Sequence, residues 1–206
     1  MKNLFLCSVL ILLTGTGCKS DKSKNQSLLD DPETKLGWEL GAGTYTFNRF
    51  TFLQSIDKID SCNLKYVEVF PEQVIGEGIE GTMDYHMDAF TQKEVLKKLS
   101  DKGMKIIAYG VITPNNDAEW RKLFDFGKSM GVQTFTSEPD KKDLSLISGL
   151  CDEYKINVAI HNHPYPKHYW NPDTVLAAIK GRSKRVGACA DIGHWEIGRA
   201  SCRDRV

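Results

Sequence analysis

From Leu40 onward the chain repeats one unit six times: a short apolar run, then a stretch whose apolar residues recur every three or four positions. The runs are Leu40–Tyr45, Leu64–Phe70, Lys105–Ile112, Gln133–Glu138, Ile156–His161 and Val186–Ala190. Between them, Phe52, Ile56 and Ile59 form one helical stripe, Trp120, Leu123 and Phe124 another, and Leu144, Ile147, Leu150 and Cys151 a third. Punctuation agrees with the period. Thr91 with Glu94 has the spacing of a capping box, and Gly103 stands where that helix should end. Asn116 with Glu119 opens a helix that Gly131 closes, and Asn171–Pro172 opens one that Gly181 closes. Pro71–Phe90 reads as a long Gly-rich loop, and loops of that length are usually functional.

Strands that alternate with helices pair in parallel, because parallel neighbours need a crossover between them. An open doubly wound sheet would carry a Gly-rich phosphate turn after its first strand. G-A-G-T-Y-T-F supplies Gly41 and Gly43 but no third glycine, and it runs into aromatics. The expectation is therefore an α/β fold, a (β/α)8 barrel of which about six βα units are present. Such barrels need about 250 residues, and this chain has 206.

The flanks read differently. Residues 1–18 have a basic start at Lys2, an apolar run from Leu4 to Leu13, and T-G-T-G-C, too short to span a bilayer. The segment resembles a bacterial lipoprotein signal in which Cys18 becomes the lipidated first residue, although Gly15 stands where leucine is usual. Lys19 after the cysteine resembles lipoproteins sent to the outer membrane, so the expected location is the cell envelope, lipid-anchored. Residues 19–35 are polar and read as a tether. Net charge is zero, which leaves no basic face for nucleic acid. Of six cysteines, Cys62, Cys151 and Cys189 are scattered through the folded part, an odd and dispersed set that argues against a disulfide framework. Residues 196–206 lack apolar periodicity and resemble a translated frame of a sequencing adapter, from which only Asp204 departs; they are expected to be non-native.

If the six strands are parallel, their C-terminal tips share one mouth. Glu68 lies near the second tip, Glu138 at the fourth, His161 and His163 at the fifth, and Asp191 with His194 at the sixth. His161 and His163 fall on the same side of their strand as Ala159, and Asp191 falls with Cys189 and Gly187. Small residues beneath polar tips suit a barrel interior under a site. Carboxylates and imidazoles gathered there suit a divalent cation, or a polar substrate beside one. Each residue also has a plainer role open to it: Glu138 as a helix cap, Glu68 as a structural carboxylate, and the H-N-H-P histidines as a solvated loop.

W-E-L-G-A-G-T-Y-T-F, Y-V-E-V-F, T-S-E-P, A-I-H-N-H-P and C-A-D-I-G-H-W together resemble the xylose-isomerase-like sugar phosphate isomerase/epimerase family, whose superfamily also contains endonuclease IV-type enzymes. The resemblance covers about Trp38 to Trp195, above all the D-x-x-H, and makes residues 36–195 the expected partial barrel. It implies a (β/α)8 barrel that uses Mn²⁺, Zn²⁺, Co²⁺ or Mg²⁺ to move a proton next to a sugar carbonyl. It makes Asp191 a metal ligand and His194 the histidine that contacts substrate oxygens; the expected site adds His161 as a second metal ligand, Glu138 beside His194 as the catalytic pair, and Glu68, His163 and Trp195 as contacts to the sugar. His161 stands where many members carry a glutamate, which puts the proton transfer in doubt more than the metal. Members also continue through two further strands bearing ligands and an acid/base, so this chain alone is expected to be inactive. Two other readings stay open: a carbohydrate-binding lipoprotein that lost catalysis, and an endonuclease IV-like phosphodiesterase.

Overall fold

In the computed structural model, residues 32–196 are described. Two units separate. One reaches to Glu39 and shows a short helix, α1 (Pro32–Lys35). The other, from Leu40, holds everything else. No helix among the described residues is long and apolar enough to cross a membrane.

The larger unit is built on a six-stranded parallel sheet. Its strands are β1 (Gly41–Gly43), β2 (Tyr66–Val69), β5 (Lys105–Gly110), β6 (Thr134–Ser137), β7 (Asn157–His161) and β8 (Val186–Cys189), in the spatial order β1-β2-β5-β6-β7-β8. Sequence order equals spatial order, as in a barrel wound in one direction. The helices α2 (Phe52–Ser61), α3 (Ala89–Asp101), α4 (Asp117–Met130), α5 (Leu144–Tyr154) and α6 (Pro172–Ile179) fill the crossovers. Alternation along the strands separates two faces. Val67, Val69, Val158 and Ile160 are fully buried in the core that also takes Phe52, Ile56, Ile59, Trp120, Leu123, Phe124 and Ile147. The other face carries Glu68, Thr136, Ala159 and His161. Across it, Gly110, Thr136, Ala159 and Gly187 stand in register, one row of small side chains directly beneath His161 and Cys189. Gly110 has no alternative here, because a Cβ would collide with the backbone oxygen and hydroxyl of Thr136.

Three local expectations need correction. The first strand is only Gly41–Gly43, since Thr44–Phe47 turns into a 3-10 helix. Thr44 is buried there, and its Oγ1 accepts the Phe70 N–H at 2.9 Å, a bond that pulls the chain off the sheet. The Pro71–Phe90 loop contains an antiparallel hairpin, β3 (Val74–Gly76) with β4 (Ile79–Thr82), turning through Gly76, Glu77 and Gly78 at positive φ. Ile75 and Met83 anchor it in the core, and the Tyr109 hydroxyl donates to the Met83 carbonyl. Finally, α3 starts two residues before Thr91, because Asp88 takes the cap and accepts the Thr91 N–H at 2.8 Å. A reciprocal capping box does form, one helix earlier, between Thr51 and Gln54. Asn116 caps α4 as expected, but the Glu119 carboxylate turns away to Tyr85, His86 and Lys122.

Candidate metal and substrate site at the strand tips

The D-x-x-H spacing has a direct local cause. Asp191 leaves β8 and caps the helical turn at 192–196, its Oδ1 accepting the His194 N–H at 3.0 Å. A cap that bonds the third residue after it brings that residue's side chain back beside its own. Asp191 Oδ2 consequently lies 3.7 Å from His194 Nε2, and 3.7 Å from His161 Nε2 across the strand pair. One carboxylate oxygen is spent on the backbone and the other faces two imidazoles. Asn162, fully buried and on the opposite side of its strand from the histidines, fixes the peptide of Asp191. Its Oδ1 accepts the Asp191 N–H at 2.8 Å, and its Nδ2 donates to the Asp191 carbonyl at 2.9 Å.

The histidines cluster. Ring centroids are 4.6 Å apart for His161 and His163, 4.7 Å for His163 and His194, and 5.9 Å for His161 and His194. Burial, then the neighbouring His163, lowers the pKa of His161, so its neutral, ligand-competent form is favoured. Glu138 follows β6, its N–H bonded to Thr113 Oγ1 at 3.3 Å. Its Oε1 lies 2.8 Å from His163 Nδ1, yet the pair lacks hydrogen-bond alignment, and both atoms are buried without a partner. His161 Nδ1 is likewise buried and unpartnered. Each of Glu138, His161 and His163 offers a ligand atom within 4.8 Å of the other two. Buried polar atoms left without partners are costly. Two such atoms 2.8 Å apart also have the spacing of ligands of a common ion, since adjacent ligands about 2.1 Å from an octahedral ion sit about 3 Å apart. The residues present therefore fit a divalent cation.

Glu68 lies deeper on the same face. Thr136 Oγ1 donates to its Oε1 at 2.8 Å, while burial, and secondarily the charge of Asp191, pushes its pKa up. Trp195 follows in the 192–196 turn with its Nε1 buried and unpartnered. The structure thus gathers Glu138, His161, His163, Asp191 and His194 at one mouth, with Glu68 below. Sequence reasoning missed Asn162 and Thr136. Asn162 stands between the two histidines of H-N-H-P, and its neighbours were the only available signal. Thr136 was a strand residue like any other until its register with Gly110 and Ala159 was known. The lipidation candidate Cys18 lies outside the described residues.

Comparison with solved structures places this architecture. An uncharacterized protein from Parabacteroides distasonis superposes with a TM-score of 0.69 at 34% identity, over 77% of this chain and 65% of that one. A D-psicose 3-epimerase solved with D-fructose gives 0.59 at 15% identity, over 80% and 68%. The fold is α/β, a parallel sheet of the TIM-barrel type. A xylose isomerase domain protein from Salmonella typhimurium agrees, at 0.54 and 11% identity over 80% and 65%. No family model and no curated protein sequence matches the chain. The chain spans 65% of the length of the Parabacteroides protein.

Proposed function

We propose that this chain supplies six of the eight βα units of a metal-dependent isomerase or epimerase that moves a proton next to the carbonyl of a sugar or keto-sugar. The observation that carries the reading is the set of unpartnered buried ligand atoms on Glu138, His161 and His163 beside Asp191 and His194, at the end of a barrel where such folds place chemistry. A cation bound there would polarise a sugar carbonyl and hydroxyl and stabilise an enediolate. The chain's own residues do the rest. His161 and Asp191 face each other across β7 and β8 as metal-side groups. His194, held beside Asp191 by the helical cap, is placed to carry a proton to or from a substrate oxygen. The row of small residues beneath leaves room for a sugar ring, with Glu68 as a hydrogen-bonding contact on its floor and Trp195 at the rim. A similarity in fold to a D-psicose 3-epimerase supports a sugar substrate. Under this proposal the protein is lipid-anchored in the envelope through Cys18, where a free sugar is a more accessible substrate than a sugar phosphate.

The test is solvent exchange. The product of the complete open reading frame, read past the codon for Trp195, is loaded with Mn²⁺ or Co²⁺ and incubated with ketoses in deuterated water beside the 206-residue chain. Deuterium entering the carbon next to the carbonyl is the expected result. Sugar binding without exchange would overturn it in favour of a carbohydrate-binding lipoprotein, and cleavage of abasic DNA in favour of the phosphodiesterase. Palmitate labelling abolished by Cys18→Ser tests the anchor, and an unlabelled protein would remove it.

A further inference from the structure

A second titratable cluster joins two segments that are distant in sequence. The connection from β2 to α3 leaves the hairpin at Thr82, is anchored by the buried Met83, and reaches the helix cap at Asp88. Within it, both ring nitrogens of His86 face a carboxylate. Nδ1 lies 2.8 Å from Asp84 Oδ1, and Nε2 lies 2.7 Å from Glu119 Oε2. Glu119 belongs to the first turn of α4. The imidazole therefore spans the connections that follow two neighbouring strands, β2 and β5, at the end of the sheet where the site opens. We propose that His86 is a pH-dependent pin between these loops: as the imidazolium it holds the segment 84–88 to α4, and on losing its proton it keeps Asp84 and releases Glu119.

Counting protons carries the reading. An imidazolium donates from both nitrogens, whereas a neutral ring has one N–H and one lone pair. In either neutral tautomer a lone pair faces a carboxylate oxygen, at 2.8 or 2.7 Å, and that contact turns repulsive. The Asp84 contact is the one that survives. It closes only a short loop of chain, and the same Oδ1 already accepts the His86 N–H at 2.7 Å, so keeping it costs little ordering. Glu119 has other partners: its Oε2 accepts the Tyr85 hydroxyl at 2.8 Å, and its Oε1 accepts from Lys122 Nζ at 3.0 Å. The Tyr85 ring lies 4.1 Å from the imidazole. On the hairpin side His86 lines a cavity of about 360 Å³ with Glu80, Asp84 and Asp88, and among the described residues no lysine or arginine lines it. The charged groups around the ring are thus anionic, with Lys122 one contact further off. These neighbours hold their states while His86 titrates. Lys122, then Tyr85, keep the Glu119 pKa down at about 2, and burial, then Glu119, pushes the Tyr85 hydroxyl above its ordinary range. The His86 pKa is itself raised, first by Asp84, so the pin lets go above pH 6.5. None of this depends on the metal-dependent reading above.

The 206-residue chain, labelled with ¹⁵N, is followed across the titration of His86 by its ring nitrogen resonances and by amide exchange. Above the midpoint the remaining ring proton should reside on Nδ1, with Nε2 bare. Through the same midpoint the protection factors of the His86 and Met87 amides, both bonded to Asp84, should fall about two- to fivefold. That of Met83, bonded to the Gln73 carbonyl, should hold. These readouts need no variant. His86→Gln should remove the transition in protection. Glu119→Gln, which keeps an acceptor for Tyr85, should lower the His86 midpoint and carry the loop transition down with it. Protection of the two loop amides that stays level through the His86 midpoint would overturn the proposal. So would a neutral ring protonated on Nε2, or a loop transition that persists in His86→Gln.

Discussion

Replacing Asn162 with alanine isolates the clamp that aims Asp191. Two hydrogen bonds disappear, to the backbone N–H and carbonyl of Asp191, at 2.8 and 2.9 Å. Each is worth about 0.5–1.5 kcal/mol net. The full penalty for stranded groups does not apply. The Asp191 N–H also reaches the Cys189 carbonyl at 3.1 Å, and its carbonyl also receives the Trp195 N–H at 3.2 Å. Asn162 is fully buried, so alanine also leaves a small void. The sum is about 2–3 kcal/mol. With a urea slope of about 2 kcal/mol/M, the unfolding midpoint should fall by about 1–1.5 M with no change in slope. Asn162→Asp should be worse, because it keeps the acceptor, loses the donor and buries a charge opposite a carbonyl oxygen. A shift below about 0.25 M for alanine, equivalent to about 0.5 kcal/mol, would show that the Asp191 peptide is held by its other partners and refute the clamp.

Three further outcomes are expected. Glu68 has a raised pKa through burial, so the native state binds its proton more tightly than the unfolded chain does. Stability should fall as pH rises from 4.5 through the higher folded value, and Glu68→Gln should flatten that segment of a plot of urea midpoint against pH. His86 shifts stability with the same sign at higher pH: its pKa is raised, first by Asp84 at 2.8 Å and then by Glu119 at 2.7 Å, and Lys122 holds the Glu119 carboxylate down at about 2. The destabilisation by His86→Gln should therefore be full below pH 6.5 and vanish as pH rises through the folded value; a gap that persists at alkaline pH would contradict it. Burial pushes the thiols of Cys151 and Cys189 up to about 12 and about 11, while Cys62 is exposed. Peptide mapping after brief iodoacetamide treatment at neutral pH should find Cys62 modified and the other two intact until denaturant is added.

What the sequence disclosed and what it withheld divide along a physical line. Periodicity reports which side of an element is wet, so Phe52, Ile56 and Ile59, or Val67 against Glu68, were placed correctly from the order of residues alone. Parity likewise put Ala159 and His161 on one side, and the parallel register then set His161 beside Cys189. Competition between hydrogen-bonding partners is not periodic. Thr91 and Asp88 both suit a cap, and only the approach of the chain from the β3–β4 hairpin decides for Asp88. Thr44 ends β1 early because a backbone N–H 26 residues away needs its oxygen.

The site shows the same division more sharply. Asp191 and His194 were legible together because a local capping bond joins them. Glu138 and His163 lie on different tips; Glu138 reads as a substitute base because His161 replaces the carboxylate that many family members carry at the fifth tip, and His163 as a sugar contact. Glu138 Oε1 and His163 Nδ1 lie 2.8 Å apart and buried because β6 and β7 bring both to one point. That juxtaposition depends on the register Ser137 against Ile160, which no single-strand pattern encodes. A substitution at one tip thus changes the meaning of residues at its neighbour, and the coordination of the centre is a property of the strand pair.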